Sequence, residues 1–133
     1  MERTLIVVKP DGVSRGLVGE ILARFEKKGF KIKALKMLSF DSALANDFYA
    51  PHVGKGFFPE LEQFITSGPV VAAILQGNNA VEVVRRMIGA TKSYEAASGS
   101  VGGDYGLGIT DNAIHASDSL ESFERESKIL FST

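Results

Sequence analysis

Thr4-Leu5-Ile6-Val7-Val8 is a continuous run of mostly β-branched, apolar residues, and Lys9-Pro10-Asp11-Gly12 ends it. A short apolar run closed by turn residues is typical of a buried central strand followed by a turn. From Leu17 to Phe25 the apolar spacing changes to that of one helix face, and Gly29 stands where a C-terminal cap belongs. The chain is therefore predicted to begin with a strand that leads into a helix.

The same alternation of strands and helices continues to the end of the chain. Further strands are predicted over 31–38, 69–75 and 113–115, and further helices from Asp41 or Ser42 to Tyr49, over 58–65, over 80–88 and over roughly 119–127. Asn79 and the pair Asp118 and Glu121 are the predicted N-terminal caps of the last two helices. This order favours a single α/β (α+β) domain over residues 1–133, with helices packed on a ferredoxin-like antiparallel sheet. Hydropathy alone does not separate this plan from a small doubly wound sheet.

The composition excludes several classes of protein. The 133 residues contain 44% apolar side chains, no cysteine and two histidines, and the net charge is −1. Disulfide frameworks, thiolate chemistry and histidine-rich metal sites are therefore excluded, and the overall charge attracts neither nucleic acid nor an anionic membrane. No apolar run approaches the roughly 20 residues of a membrane helix, and the first residues do not form a signal peptide, so a cytoplasmic domain is expected.

Glycine is concentrated in one part of the chain. Six of the 14 glycines fall between Gly89 and Gly108, and residues 89 to about 112 show no helical or strand periodicity. Loops longer than about 12–15 residues in compact domains are usually functional or disordered. We interpret this segment as a long glycine-rich loop, with a phosphate cradle as its functional alternative.

His115 directly follows this loop, in Asn112-Ala113-Ile114-His115-Ala116-Ser117-Asp118-Ser119. An imidazole is mostly neutral at pH 7 and can accept a phosphoryl group without a base, provided that other groups hold and neutralise the phosphates. The alternative from spacing alone is a core histidine bonded to Ser117 or to a carboxylate. For His52, the favoured interpretation is a solvent-exposed loop position.

Residues that suit phosphate or nucleoside binding are spread along the chain. Ammonium, guanidinium and hydroxyl groups bind phosphate oxygens, and aromatic rings stack on bases. Each candidate also has a structural alternative, as a turn lysine, a helix-end cation, a surface carboxylate or a core aromatic. Together they favour phosphoryl transfer, in which positioning and charge neutralisation supply most of the catalysis. The candidates are Lys9, Tyr49, Phe57, Arg85, Arg86, Thr91, Ser117 and Glu126.

Five segments, taken in order, carry a family pattern. They are Arg3–Val13 (RTLIVVKPDGV), Arg24-Phe25-Glu26-x-x-Gly29, Ser67-Gly68-Pro69-Val70-Val71, Arg85-x-x-x-Gly89-x-Thr91 and Asn112-x-x-His115-x-Ser117-Asp118-Ser119. Through these segments the chain resembles the nucleoside diphosphate kinase family over nearly its whole length. The last segment is similar to the family signature around the phosphorylated histidine.

The resemblance implies a ferredoxin-like fold and a ping-pong reaction in a homo-oligomer built from dimers, either a tetramer or a hexamer. A nucleoside triphosphate would phosphorylate His115, and a nucleoside diphosphate would then take the phosphoryl group. Mg²⁺ would be carried by the nucleotide phosphates rather than by a protein cage. The resemblance assigns phosphate, ribose or histidine contacts to Lys9, Tyr49, Arg85, Thr91 and Asn112, base packing to Phe57 and Ile109, and support of His115 to Ser117 and Glu126.

Two departures from the family pattern bear on activity. Gly102 stands where the family has an arginine that holds phosphates, and the loss of such a charge-assisted contact would cost about 1.5–3 kcal/mol. Lys55-Gly56 replaces an Arg-Pro pair before Phe57, which keeps the charge and loses the rigid proline. The alternative function is therefore a nucleotide-binding homologue with weak or lost kinase activity. A ferredoxin-like RNA-binding module is disfavoured, because the predicted central strands carry no aromatic residues.

Overall fold

The computed structural model describes residues 1–89, 98–105 and 113–131. In chain order the elements are β1 (Glu2–Val8), α1 (Pro10–Ser14), α2 (Val18–Lys28), β2 (Lys31–Ser39), α3 (Ser42–Phe48), a 3-10 turn (Ala50–His52), α4 (Phe58–Ile65), β3 (Pro69–Gly77), α5 (Ala80–Ile88), α6 (Val101–Tyr105), β4 (Ile114–Ala116) and α7 (Leu120–Phe131). No helix in these ranges is long and apolar enough to cross a membrane.

The four strands form one antiparallel sheet in the order β2-β3-β1-β4. The predicted strand Thr4–Val8 lies in β1, between β3 and β4, and is fully buried. Two crossovers, with α2 between β1 and β2 and α5 between β3 and β4, complete the ferredoxin-like plan. The predicted fold class is confirmed, and the doubly wound alternative is wrong because it needs a mostly parallel sheet.

The two faces of the sheet pack into two separate cores, because neighbouring residues of a strand point to opposite faces. Ile6 and Val8 pack on one face with side chains of α2 and α5. Leu5 and Val7 pack on the other face with side chains of α3, α4 and α7. These last three helices are additions to the two crossover helices, and they enclose the face on which the candidate site lies.

The turn predicted at Lys9-Pro10-Asp11-Gly12 is wrong, because Pro10 to Gly12 open the short helix α1. Pro10 suits the first helical position, where an N–H would have no partner within the helix. A Cβ at Gly12 would stand 2.8 Å from Val8 Cγ1 and 3.1 Å from the Ala113 carbonyl oxygen. Glycine therefore allows the start of α1 to lie directly against the entry to β4.

The predicted helix caps are confirmed at two ends. Gly29 ends α2 in the left-handed conformation, with φ of 118°, which glycine adopts at no steric penalty. Asp41 Oδ1 accepts a hydrogen bond of 2.7 Å from the Leu44 N–H and caps α3. Local sequence decided both ends, because the capping residue is a chain neighbour of the groups that it caps.

Two other predicted caps are wrong. Asn79 makes no side-chain cap on α5; instead Glu2 Oε1 accepts a hydrogen bond of 2.8 Å from the Val81 N–H. At α7 the cap is Ser119, whose Oγ accepts a hydrogen bond of 3.0 Å from the Ser122 N–H, so the capping box of Asp118 and Glu121 does not form. The helix α7 also runs to Phe131 rather than to about 127.

The glycine-rich segment contains a helix, so the prediction of a loop without periodic structure is wrong over 101–105. Asp104 of α6 accepts hydrogen bonds from Arg24 Nη2 at 2.7 Å and from the Gly99 N–H at 2.9 Å. The bond from Arg24 attaches α6 to α2, and the bond from Gly99 links the residues before α6 to the helix itself. Residues 90–97 and 106–112 of the same segment lie outside the described ranges.

Candidate active site

His115 is the middle residue of β4 and stands opposite Val7 of β1. Directly paired residues of antiparallel strands point to the same face, so the imidazole lies on the face covered by α3, α4 and α7. Two hydrogen bonds fix the entry to β4, one between backbone groups and one to the Asp11 side chain. The Lys9 N–H donates to the Ala113 carbonyl at 2.9 Å, and the Ala113 N–H donates to Asp11 Oδ2 at 3.1 Å. The centre of the sheet therefore determines the position of His115.

Glu126 supports the imidazole from α7. Glu126 Oε1 lies 3.0 Å from His115 Nε2 and accepts a second hydrogen bond of 2.8 Å from Ser117 Oγ. Ser117 and Glu126 are buried, whereas the His115 side chain keeps 21% of its surface exposed. Because a carboxylate only accepts hydrogen bonds, the proton of the neutral imidazole is assigned to Nε2 and the lone pair to Nδ1.

Aromatic rings line other sides of the imidazole. The Phe48 and Tyr49 rings meet it edge-on, with centroids 5.2 Å and 6.1 Å from that of His115. Tyr49 lies 6.5 Å from the His52 ring, which lies 5.5 Å from the Phe57 ring. These rings lead from the buried His115 region to Phe57, which is 49% exposed and offers an aromatic surface at the entrance.

The phenol of Tyr49 is buried, and its hydroxyl oxygen has no hydrogen-bond partner within the described residues. Burial, with a smaller contribution from the Glu126 carboxylate, raises the pKa of Tyr49. The phenol therefore keeps its proton throughout the physiological range. A buried polar group without a partner is unfavourable by about 1–3 kcal/mol, and a ligand oxygen would satisfy it.

Three cationic side chains reach the same space from three elements. Lys9 is buried at the end of β1, and Arg85 on α5 donates from Nη1 to the Ala116 carbonyl at 3.1 Å. Arg125 reaches it from α7. Cations gathered on low-dielectric walls attract anionic ligands such as phosphates. Arg86, in contrast, is exposed and pairs with Glu82 at 2.8 Å.

His115, the rings beside it and the cations Lys9, Arg85 and Arg125 line one cavity of about 420 Å³. This volume is within the usual range of small-molecule sites. Six predicted site residues meet there, and Ser117 lies behind them as a partner of Glu126. A more open groove of about 750 Å³ beside α5 shares Arg85 and Asp118 with it, but no histidine is among its described lining residues. We therefore assign the smaller cavity as the site. The six residues are Lys9, Tyr49, Phe57, Arg85, His115 and Glu126.

Three predicted nucleotide contacts, Thr91, Ile109 and Asn112, lie outside the described residues. The sequence reasoning missed several residues of the lining, and two of these, Phe48 and Arg125, contact His115 or Glu126. Each is the chain neighbour of a predicted site residue, which was the only available signal. Periodicity places a residue on a helix face but does not show which other helix that face meets.

His52 is half-buried in the lining of the cavity, so the predicted solvent-exposed position is wrong. The 3-10 turn directs its ring inward, toward Tyr49 and Phe57. Its Nδ1 lies 3.3 Å from Lys55 Nζ, and an ammonium only donates, so the ring proton is assigned to Nε2. Burial, followed by the charge of Lys55, lowers the pKa of His52. The ring is therefore neutral at pH 7.

The described lining of the cavity contains no group of side chains that would cage a metal ion. In the part of the chain that the structure describes, no three His, Cys, Asp or Glu side chains come together as metal ligands. Glu126 is occupied by His115 and Ser117. Asp118 Oδ1 accepts a hydrogen bond of 2.6 Å from Ser122 Oγ, and this bond lowers the pKa of Asp118. The cations of the lining, Lys9, Arg85 and Arg125, are groups that repel a metal ion and attract the phosphates of a nucleotide.

The chain is similar to known proteins over almost its whole length. A family model described as nucleoside diphosphate kinase matches residues 2–133. The chain belongs to the nucleoside diphosphate kinase family. The nucleoside diphosphate kinase of Hyperthermus butylicus is 59% identical over 132 residues, which are 99% of this chain and 93% of the relative. That of Archaeoglobus fulgidus is 54% identical over 132 residues, 99% of this chain and 87% of the relative.

Solved nucleoside diphosphate kinases share the fold. The structure from Aquifex aeolicus has a TM-score of 0.96 at 50% identity and covers 98% of this chain and 95% of its own. The structure from Halobacterium salinarum, a complex with CDP, has a TM-score of 0.96 at 46% identity and covers 99% and 88%. The chain is an enzyme that transfers the terminal phosphoryl group of a nucleoside triphosphate to a nucleoside diphosphate. The comparisons favour this function over the alternative, a nucleotide-binding homologue with weak or lost kinase activity.

Proposed function

We propose that the enzyme works by a ping-pong mechanism in which His115 Nδ1 carries the phosphoryl group. Nδ1 attacks the terminal phosphorus of a nucleoside triphosphate, the bond to the bridging oxygen breaks, and the nucleoside diphosphate leaves. A second nucleoside diphosphate then attacks the phosphohistidine through its terminal phosphate oxygen and frees the imidazole. The contact of Nε2 with Glu126 carries this proposal, because it leaves the lone pair on Nδ1.

Glu126 and Ser117 make the imidazole a better carrier. The ring gains positive charge when Nδ1 attacks, and the buried carboxylate on Nε2 stabilises that charge. Ser117 already holds the same carboxylate oxygen, so little reorganisation is needed during the reaction. This arrangement follows the logic of catalytic triads, in which a carboxylate orients and stabilises a histidine.

Lys9, Arg85 and Tyr49 are the proposed phosphate contacts among the described residues. The two cations neutralise the phosphates, and the Tyr49 hydroxyl gains the hydrogen-bond partner that it lacks within the described residues. We propose Thr91 and Asn112 as further phosphate, ribose or histidine contacts on the resemblance of their motifs alone. All these groups act by positioning and charge neutralisation.

Mg²⁺ is the proposed cofactor, bound by the nucleotide phosphates. When bound, it neutralises negative charge on the phosphoryl group that is transferred. The chain's own contribution is a cavity in which Lys9 and Arg85 face the negative charge of the phosphates that the metal ion does not neutralise. Since these two cations come from different elements, they can approach a phosphate chain from two directions.

The base is proposed to stack on Phe57, with Ile109 on its other side. Stacking on an aromatic ring tolerates every base, because each base has a π-face. The half-exposed ring of Phe57 at the cavity entrance supports this assignment. The Halobacterium salinarum relative was solved with CDP, and we expect this chain to accept pyrimidine and purine nucleotides alike.

We also propose that the enzyme is a cytoplasmic homo-oligomer built from dimers, either a tetramer or a hexamer. The edge strand β2 supports self-association, because Leu35 and Met37 are 56% and 63% exposed there. A register shift between Ile32 and Ala34 interrupts the alternation of β2 before these two residues. Edge strands also expose unpaired backbone groups that can pair with another chain.

Steady-state kinetics with two varied substrates test the mechanism. A ping-pong enzyme gives parallel double-reciprocal lines and exchanges label between ATP and ADP in the absence of any other nucleotide. We expect both results for the wild-type enzyme and neither exchange nor turnover for His115→Ala. Intersecting lines without exchange would indicate direct transfer between two bound nucleotides and contradict the proposal.

A further inference from the structure

Arg125 connects α7 to the C-terminal end of α3. Its Nη1 donates to the Asp47 carbonyl and its Nη2 to the Phe48 carbonyl, both at 3.1 Å. The last carbonyls of a helix lack partners within the helix and attract cations. A planar guanidinium can serve two such acceptors at once, which an ammonium cannot do in the same geometry.

Both of the connected ends contact His115. The end of α3 supplies the Phe48 and Tyr49 rings, which meet the imidazole edge-on. The helix α7 supplies Glu126, which is the chain neighbour of Arg125 and the partner of His115 Nε2. One guanidinium therefore fixes the separation of two walls between which the imidazole lies.

Arg125 also faces the carboxylate that holds His115. Its Nη2 lies 3.6 Å from Glu126 Oε2, whereas Oε1 accepts the bonds from His115 and Ser117. The positive charge on the Oε2 side favours the orientation in which Oε1 is directed to the imidazole. The other charged or titratable groups in the lining are Lys9 from β1, Tyr49 and His52 from the chain after α3, Arg85 from α5, and Asp118 before α7.

We propose that Arg125 is a positioning residue for phosphoryl transfer. It holds the end of α3 and the Glu126 carboxylate in the arrangement that directs His115 Nδ1 at the phosphorus. This inference rests on the proposed role of His115. It is distinct from phosphate binding, because the donors Nη1 and Nη2 are directed to the protein's own carbonyls.

The test is the rate of phosphoenzyme formation in a single turnover with γ-labelled ATP and Mg²⁺, together with the Kd of ATP. Arg125→Gln removes the charge and the fork. We expect the rate at saturating ATP to fall on the order of 10- to 100-fold, because small misplacements of reacting groups have effects of that size. The Kd of ATP should change less than about twofold.

Two further variants separate positioning from general stability. Arg3→Gln is the matched control, since Arg3 is exposed and its Nε donates to the Gln76 side chain at 2.9 Å; it should leave the rate unchanged. In Arg125→Ala, added guanidinium should restore part of the rate without changing the Kd of ATP. A side chain that only stabilised the fold would show no such rescue at a temperature where the variant is folded.

Each outcome decides the inference. An unchanged rate in folded Arg125→Gln overturns it, and so does a raised Kd with an unchanged rate at saturation, which would make Arg125 a phosphate ligand. If Arg125→Gln does not fold, Arg125→Lys decides the question. We expect its rate of phosphoenzyme formation to lie below that of the wild type and above that of the alanine variant with added guanidinium. Wild-type protein without label on His115 refutes the proposed function itself, whereas labelled wild type with a normal glutamine variant refutes only the role of Arg125.

Discussion

Glu126 Oε1 lies 3.0 Å from His115 Nε2, although the two residues belong to different elements, α7 and β4. The position of α7 makes this contact possible. Leu130 of α7 is buried in the core of the same sheet face, and Lys36 Nζ of β2 donates to the Leu130 carbonyl at 2.9 Å. A helix anchored at its far end presents its buried carboxylate to the nucleophile at a fixed distance.

The first prediction concerns the charge of that carboxylate. Glu126→Gln keeps the shape and an acceptor oxygen for His115 Nε2 but removes the negative charge. We expect the rate of phosphoenzyme formation to fall at least about tenfold, which corresponds to about 1.4 kcal/mol of the barrier. Rapid mixing with labelled ATP measures it. Glu124→Gln, an exposed change on the same helix, is the control, and equal rates in both variants would show that the charge is irrelevant.

The second prediction concerns pH. Burial and Lys55 lower the pKa of His52 below the ordinary histidine value of about 6.5. The unfolded chain then binds the proton more tightly than the folded one, so stability is fully present above about pH 6.5 and is lost as the pH falls through the lowered pKa. Lys55→Met should raise the pKa of His52, and NMR titration of the imidazole measures this shift.

Denaturant unfolding gives the matching stability measurement. His52→Gln should lose less stability than the wild type between about pH 7 and about pH 5, because it no longer carries the group that resists protonation. A His52 resonance that titrates at or above the ordinary value would contradict the account of this site.

The third prediction concerns Gly102, in the first turn of α6. Gly102→Arg restores the cation that the family pattern has at this position. We expect tighter nucleotide binding by roughly 10- to 150-fold if no other group has replaced that cation, from the strength of charge-assisted hydrogen bonds. Equilibrium titration with ATP measures it. Gly102→Ala separates the charge from the helix preference of about 1 kcal/mol over glycine; if alanine and arginine act alike, the missing charge is not the cause.

The fourth prediction concerns assembly. Changing Leu35 and Met37 together to glutamate should dissociate the oligomer to smaller species, because like charges would meet across a pair of β2 strands. Light scattering coupled to gel filtration gives the mass of each species. Lys27→Glu in the last turn of α2 is an exposed control. An unchanged mass in the double variant would exclude β2 from the subunit interface.

Local patterns predicted the parts of the fold that depend on chain neighbours. The strand at Thr4–Val8 and the caps at Gly29 and Asp41 were predictable, because each depends on residues close in sequence. The cap of α5 was not predictable, because the Val81 N–H donates to Glu2, which lies 79 positions away in sequence, and not to the nearby Asn79. Helix propensity and capping rules contain no term for such a distant partner.

The candidate site shows the same division. The motif around His115 and the positions of Lys9, Arg85 and Glu126 were accessible from sequence, and the structure brings them to one cavity. The inward position of His52 was not, because burial of a loop residue depends on which helices cover it. The contacts of Arg125 with the α3 carbonyls were not predictable either, because these carbonyls lie 77 and 78 positions away in sequence.

Phosphoenzyme mapping tests the central claim most directly. The enzyme is incubated with γ-labelled ATP and Mg²⁺ without an acceptor, digested under alkaline conditions and analysed by mass spectrometry and ³¹P NMR. We predict one acid-labile, alkali-stable phosphoryl group on Nδ1 of His115, which disappears when a nucleoside diphosphate is added and never forms in His115→Ala. Intact wild-type protein that takes up no label, or label that persists in His115→Ala, would contradict the account.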